Sequence, residues 1–144
     1  VILRLFLVYG KGQNNKRFLP QVIKGCLLDE NFPTSKGEQL RDFCHVDDIS
    51  SGILRSLVCD EVNGEIINLA SGDAISIREI IEIIQSFIGS GKPEFGKIAY
   101  RDGENMALYG DITKAKKLLK WKPKVAIYEG LEKTVNYYIT KNIK

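Results

Sequence analysis

With 144 residues, 44% of them apolar and 27% charged, the chain has the size and composition of one soluble globular domain. Its net charge of +3 comes from 21 basic and 18 acidic residues, too even a balance for an extended nucleic-acid or membrane-surface footprint. Cys26, Cys44 and Cys59 show no Cys-x-x-Cys spacing and His45 is the only histidine, which argues against disulfide frameworks and zinc sites and for a reduced, cytoplasmic setting.

Val1 to Tyr9, VILRLFLVY, is nearly continuous in β-branched, leucine and aromatic residues, and is predicted to be a strand buried on both faces, as in a parallel sheet. The next loop, GKGQNNK, lacks a third glycine and any helical pattern opening at that point, so it does not read as a phosphate-cradling loop. Phe18, Leu19, Val22, Ile23, Leu27 and Leu28 then recur at helical spacing, with Pro20 near enough to the start to be tolerated. Phe32 to Gly37, FPTSKG, is turn chemistry.

The stretch GEQLRDFCHVDDISSGI, 37–53, reads as a strand running into a helix. From Asp47 or Asp48 onward, Ile49, Ile53, Leu57 and Val58 recur at helical period, with the aspartates placed to cap the start. Asn63-Gly64 breaks the chain, and EIINLAS, 65–71, is a second short strand, apolar on both faces. Ser76-Ile77-Arg78-Glu79 has capping-box spacing and leads into Ile80, Ile81, Ile84, Phe87 and Ile88, closed by Gly89. Lys97 to Arg101 is expected to be a strand before the polar loop DGEN. Asp111 is predicted to cap a small helix through Leu118 and Leu119, ended by Trp121 and Pro123, and Ile127, Leu131, Val135 and Tyr138 mark a final amphipathic helix. Strands alternating with helices predict an α/β layer fold with parallel pairing.

Two polar concentrations are candidates for chemistry. Arg41 follows a glycine turn and precedes a helix start, where its planar fork suits a phosphate in a crevice; the alternative is a surface ion pair with Asp42 or Asp47. Arg101 and Glu104, at a strand's end beside Gly103, either clamp a phosphate and a ribose hydroxyl or form an ordinary exposed turn. His45 has no second histidine to join it, so a packed structural role is its default. Lys114, Lys116, Lys117, Lys120, Lys122 and Lys124 form a basic cluster without interleaved aromatic stacking partners, which favours a solvated helix face over nucleic-acid binding.

In combination these segments resemble a known family. LRLFLVYGKGQ, 3–13, is similar to the LRxFNVYGPGQ strand and loop of extended short-chain dehydrogenases that act on nucleotide sugars, the NAD-dependent epimerase/dehydratase group. RFLPQVI, GEQLRDFCHVDDISSGIL, GEIINLASGDAISIREI and FGKIAYRDGENMALYGDITKAKKLLKWKP follow in the family's order, so that the resemblance covers essentially the whole chain. It implies the C-terminal portion of a Rossmann-like doubly wound parallel sheet plus the small substrate-binding lobe, spanning 1–144. NAD or NADP would be bound mainly by an N-terminal half upstream of residue 1, which would also carry the catalytic residues. The sole methionine, Met106, and the apolar start at Val1 agree with a piece of a longer protein.

By motif position the resemblance assigns Arg41 and Arg101 to the diphosphate and Glu104 to the ribose. It places Arg17, Phe18 and Phe32 to Thr34 near the base, and Phe6 near the nicotinamide. No catalytic residue is expected; Tyr137 and Lys141 repeat the Tyr-x-x-x-Lys spacing of short-chain dehydrogenases in a terminal helix, and are read as a chance match. Leu7 stands where the family has a substrate-binding asparagine, and Lys11 replaces a common proline. A leucine cannot make that hydrogen bond. Two functions therefore compete: the nucleotide-sugar-binding portion of an NAD(P)-dependent epimerase/dehydratase, without turnover alone, or a non-catalytic ligand-binding or scaffold domain derived from that fold. Homo-oligomerisation, or association with the upstream half through exposed strand edges, is expected; nucleic-acid and membrane binding are not.

Overall fold

The computed structural model describes residues 1–141. In chain order they form β1 (Ile2–Leu5), β2 (Leu7–Tyr9), α1 (Phe18–Leu27), β3 (Asn31–Thr34), β4 (Leu40–Arg41), β5 (Phe43–His45), α2 (Val46–Leu57), β6 (Ile66–Leu69), β7 (Ile75–Ser76), α3 (Ile77–Ile88), β8 (Lys92–Phe95), β9 (Ala107–Leu108), α4 (Thr113–Leu118) and α5 (Ile127–Thr140). β1 with β6, β2 with β5, and β3 with β8 run parallel; β4 lies between antiparallel β7 and parallel β9.

The apolar run at the start is one extended segment that changes partner at Phe6. The amides of Ile2 and Phe6 donate to Glu65 and Leu69 (2.8 and 3.1 Å), whereas that of Leu7 donates to Asp42 (3.2 Å). Successive peptide groups of a strand point to opposite edges, so β6 and β5 flank this run on opposite sides. The edge of β1 away from β6 has no partner strand among the described residues. Burial on both faces is not what the structure shows: Ile2, Leu5, Leu7 and Ile66 are exposed; Ile2 and Ile66 point away from the helix-covered face that carries Ile67 and Leu69, and Leu5, in register with Leu69, is exposed as well.

The apolar side chains gather into two clusters. In one, α1, α3 and α5 close around Tyr9 and Phe43, with Ile23, Ile80, Ile81, Ile84, Leu131 and Val135 fully buried. In the other, α2 and α4 cover β6 through Ile49, Ile112, Ala115, Leu119 and Trp121. Each fully buried aliphatic side chain contributes roughly 1.5–3 kcal/mol before conformational entropy is subtracted.

The helix α3 begins as its sequence predicts. The Ser76 hydroxyl accepts from the Glu79 amide (3.1 Å) while the Glu79 carboxylate accepts from the Ser76 amide (3.0 Å), and Gly89 closes the helix at φ 78°. In the first turn of α5, Gly130 is set by packing and not by propensity, since any Cβ there collides with the Tyr9 hydroxyl.

Four expectations are corrected. Asn31–Thr34 is a strand despite its turn-like FPT: among the described residues it pairs with β8 alone, and the Glu30 and Thr34 carbonyls, which accept the Lys92 and Ile98 amides (both 3.1 Å), face that side, leaving the nitrogen of Pro33 on the outer edge, where a missing N–H costs no ladder bond. Lys97 to Arg101 is not a strand; the strand lies earlier, at β8, and this segment is a loop held by the Ile98 amide on the Thr34 carbonyl (3.1 Å). α2 starts at Val46 with His45 as its cap, the imidazole Nδ1 accepting the Asp47 amide (3.3 Å), so neither aspartate is the cap. The expected apolar stripe of α2 is also misplaced. Gly52 lets the helix approach Leu69 and Trp121, so that Ile49, Gly52 and Ser56 face inward and Ile53, Leu57 and Val58 face outward.

Candidate functional site

The candidate site lies along β4, whose edges are occupied by β7 and β9. At its end Arg41 and Asp42 adjoin in sequence but do opposite work. Asp42 is 1% exposed, and its carboxylate accepts the amides of Ser71 (2.7 Å), Gly72 (2.9 Å) and Gly110 (3.1 Å). These bonds tie the loops after β6 and β9 to the start of β5. Asp48 does the same further along, accepting the Lys124 and Val125 amides (both 2.9 Å), and the Trp121 indole N–H donates to the Asp48 carbonyl (3.1 Å) and Ser51 hydroxyl (2.8 Å). A carboxylate that accepts two or three backbone amides fixes chain geometry. Sequence reading missed both roles, because the amides come from residues distant along the chain.

Arg41 turns the other way. Its Nη2 donates to the Glu104 carboxylate in an ion pair, and its Nη1 donates to the carbonyls of Asn105 (2.7 Å) and Leu40 (2.8 Å). The side chains of Arg41 and Glu104 are 12% and 22% exposed. The expected partners Asp42 and Asp47 are not used: the first is turned to amides and the second lies beside His45. The structure thus brings together two of the three charged residues expected at a nucleotide's diphosphate and ribose, Arg41 and Glu104. The third, Arg101, is exposed in the same turn, which closes with the Glu104 amide on the Arg101 carbonyl (3.0 Å).

The remaining predicted positions are spread around this centre. Arg17 is exposed at the start of α1. Phe18 is half-buried with its ring 6.3 Å from that of Phe43, two residues from Arg41. Phe32 is half-buried against Gly25 in the helical cluster, and the Thr34 hydroxyl donates to the Ser35 carbonyl (3.1 Å). No hydrogen bond or ion pair among the described residues joins Arg17, Phe18, Phe32 or Thr34 to Arg41 or Glu104. Phe6 packs over Gly110, beside the Asp42 junction, and Leu7 is exposed where a hydrogen-bonding side chain is expected.

Other chemistry finds little footing. Burial, with Asp48 and Asp42 nearby, pushes the Cys44 thiol up to about 12, and burial alone pushes Cys26 up to about 11, so neither is a ready thiolate. Among the described residues no group of three potential ligands is placed to hold a metal, and no helix is long and apolar enough to cross a membrane. Tyr137 and Lys141 stand near the end of α5, the ammonium 5.9 Å from the ring centroid, outside the Arg41 centre. A cleft of about 510 Å³ between Ser71–Asp73 and Lys116–Lys122 contains none of the predicted positions.

Comparison with known proteins agrees with the strand order and the motifs. The family model described as NAD dependent epimerase/dehydratase matches residues 1–70. The UDP-glucuronate 4-epimerase of Thermodesulfobacterium geofontis is 37% identical over 139 residues, covering 94% of this chain and 42% of that protein. The CDP-abequose synthase of Salmonella muenchen is 30% identical over 136 residues, covering 93% of this chain and 46% of that protein. The crystal structure of a Bacillus cereus UDP-glucuronic acid 4-epimerase with UDP-glucuronic acid and NAD superposes with a TM-score of 0.88 at 33% identity, over 98% of this chain and 45% of that one. The chain spans less than half the length of these relatives.

Proposed function

The chain belongs to the NAD-dependent epimerase/dehydratase family of extended short-chain dehydrogenases and has their Rossmann-like α/β architecture; from this premise we propose that residues 1–144 are the C-terminal, nucleotide-sugar-binding part of such an enzyme, without turnover alone. The observation that supports this reading most is Arg41. Its guanidinium is largely removed from water at the rim of a small sheet, with Nη1 saturated and the Nε–H and one Nη2–H unpartnered among the described residues. A planar pair of free donors in a shielded place suits a diphosphate, whose charge Arg41 and the nearby Arg101 would neutralise while orienting the sugar.

NAD or NADP is part of this proposal for the whole enzyme. When bound it takes up hydride from the sugar. The residues present do not fit its phosphates: α1 begins only at Phe18, well after Gly10 and Gly12, and the Gln13 carbonyl in the intervening loop accepts the Tyr138 hydroxyl (2.9 Å). The dinucleotide is therefore assigned to residues outside this chain, with Phe6 as this chain's one contribution near the nicotinamide. Arg17, Phe18, Phe32 and Thr34 are proposed for the base side and Glu104 for the ribose side.

Calorimetric titration of the full-length protein with UDP-sugars tests this. Binding that falls at least about tenfold in Arg41→Ala and in Arg101→Ala supports it; unchanged binding in both removes these arginines from the site. NAD-dependent turnover by residues 1–144 alone would overturn the claim of incompleteness. Leu7 favours a second reading, a ligand-binding domain that has lost its chemistry, since an exposed leucine offers a substrate no hydrogen bond. Full-length protein that binds UDP-sugars yet never turns them over selects that reading.

A further inference from the structure

We propose that Glu104 is a positioning residue: it holds the Arg41 guanidinium in the orientation that presents its free N–H groups to a diphosphate. This rests on Arg41 as the diphosphate ligand.

Loop 100–106 is stitched to the segment 38–41 along its length. The Glu38 amide donates to the Tyr100 hydroxyl (3.1 Å), which donates to the Glu38 carboxylate (3.2 Å). The Leu40 amide donates to the Met106 carbonyl (2.8 Å), and Leu40–Arg41 pairs with Ala107–Leu108. Glu104 is carried on this loop to a fixed place opposite Arg41. It is the one carboxylate paired with Arg41 among the described residues, Asp42 being filled by backbone amides and Asp47 lying beside His45.

A long, flexible cation with no partner spreads over many rotamers, and ordering it opposes ligand binding. Two carbonyls and one carboxylate remove that freedom here: they occupy Nη1 and one Nη2 proton and leave Nε–H and the other Nη2–H. Glu104 thus opposes an incoming anion by its charge and assists it by preorganising its receptor. At short range in a shielded place, the geometry of the charge-assisted pair outweighs the longer-range repulsion.

The test is calorimetric titration of the full-length protein with UDP and with uridine, on wild type, Arg41→Ala, Glu104→Ala, Glu104→Gln and the double variant Arg41→Ala/Glu104→Ala. Glu104→Ala is expected to weaken UDP about tenfold more than it weakens uridine, whose loss measures any ribose contact, with Glu104→Gln recovering part of the extra loss, because an amide oxygen still accepts from Nη2. In the double variant the UDP loss at Glu104 is expected to shrink to the size seen with uridine, the part that acts through Arg41 vanishing once Arg41 is gone. UDP affinity unchanged or tightened in Glu104→Ala overturns the positioning role. So does a loss of equal size for UDP and uridine that persists in the Arg41→Ala background, which assigns Glu104 to the ribose alone. If wild type does not bind UDP, or Arg41→Ala binds it as tightly, it is the diphosphate reading of Arg41 that fails.

Discussion

Around Tyr9 and Phe43 the helices α1, α3 and α5 seal an apolar cluster on every side, while around Ile67 and Leu69 the strands are covered on one face and bare on the other. Both regions are rich in leucine and isoleucine. The difference lies in what their outward residues are: in the sealed region the exposed positions of α3 are polar, such as Glu79, Glu82 and Ser86, whereas α2 turns Leu54, Leu57 and Val58 outward at 64, 74 and 85% exposure. Ile2, Leu5, Leu7 and Ile66 are further exposed apolar side chains, and the edge of β1 away from β6 has no partner strand among the described residues, so both apolar surface and a strand edge are left open to association. Asp42, next to Arg41 in sequence, and Asp48 tie neighbouring loops to these regions through backbone amides.

Breaking the junction or hollowing the sealed region should cost most. Asp42→Ala empties a buried position that three backbone amides bond, one of them in a buried residue, and is expected to lose about 2–4 kcal/mol in urea unfolding, with Asp42→Asn losing less because one acceptor oxygen remains. Within the sealed region Ile80→Ala should lose about 2–5 kcal/mol, whereas Leu57→Ala on the open one should stay within about 0.5 kcal/mol. Equal losses at the two sites would erase the contrast.

Gly130→Ala sharpens it further: propensity alone predicts about 1 kcal/mol of gain, but the collision with Tyr9 should turn this into a loss of about 1–3 kcal/mol, measured as a lowered unfolding midpoint. At the start of α3, Ser76→Ala should cost about 1 kcal/mol at neutral pH. The Ser76 hydroxyl and amide hold the Glu79 carboxyl below its usual 4.5, so the part of this stabilisation that comes from the carboxylate is present above that value and is lost as pH falls through the lower folded one. The gap between wild type and Ser76→Ala should accordingly narrow on acidification below about pH 4.5, the remainder being the hydroxyl's bond to the Glu79 amide, which does not titrate.

Smallest in stability, but largest in association, are Leu57→Ser and Val58→Ser. They should leave the unfolding midpoint nearly unchanged and reduce the self-association of residues 1–144 seen by light scattering. A wild-type chain that is a monodisperse monomer would show that the open face needs no cover.

Much of this was written in local sequence. The capping box at Ser76, the glycine closing α3, the periodicity of α1 and α5, and the parallel α/β pattern depend on residues a few positions apart, where backbone sterics and side-chain spacing act directly. Arg41, Arg101 and Glu104 were legible as candidates because arginine and carboxylate cluster beside turns. What only the tertiary structure decided is who meets whom. It turned Asp42 inward to amides from loops 71–72 and 110, passed Arg41 to Glu104 across 63 positions, made a strand of FPT because β8 lay beside it, and set α2 down on Gly52 so that its apolar stripe faced out. Each choice depends on close approach between segments far apart in the chain, and a periodic pattern names the apolar residues without saying which neighbour will reach them.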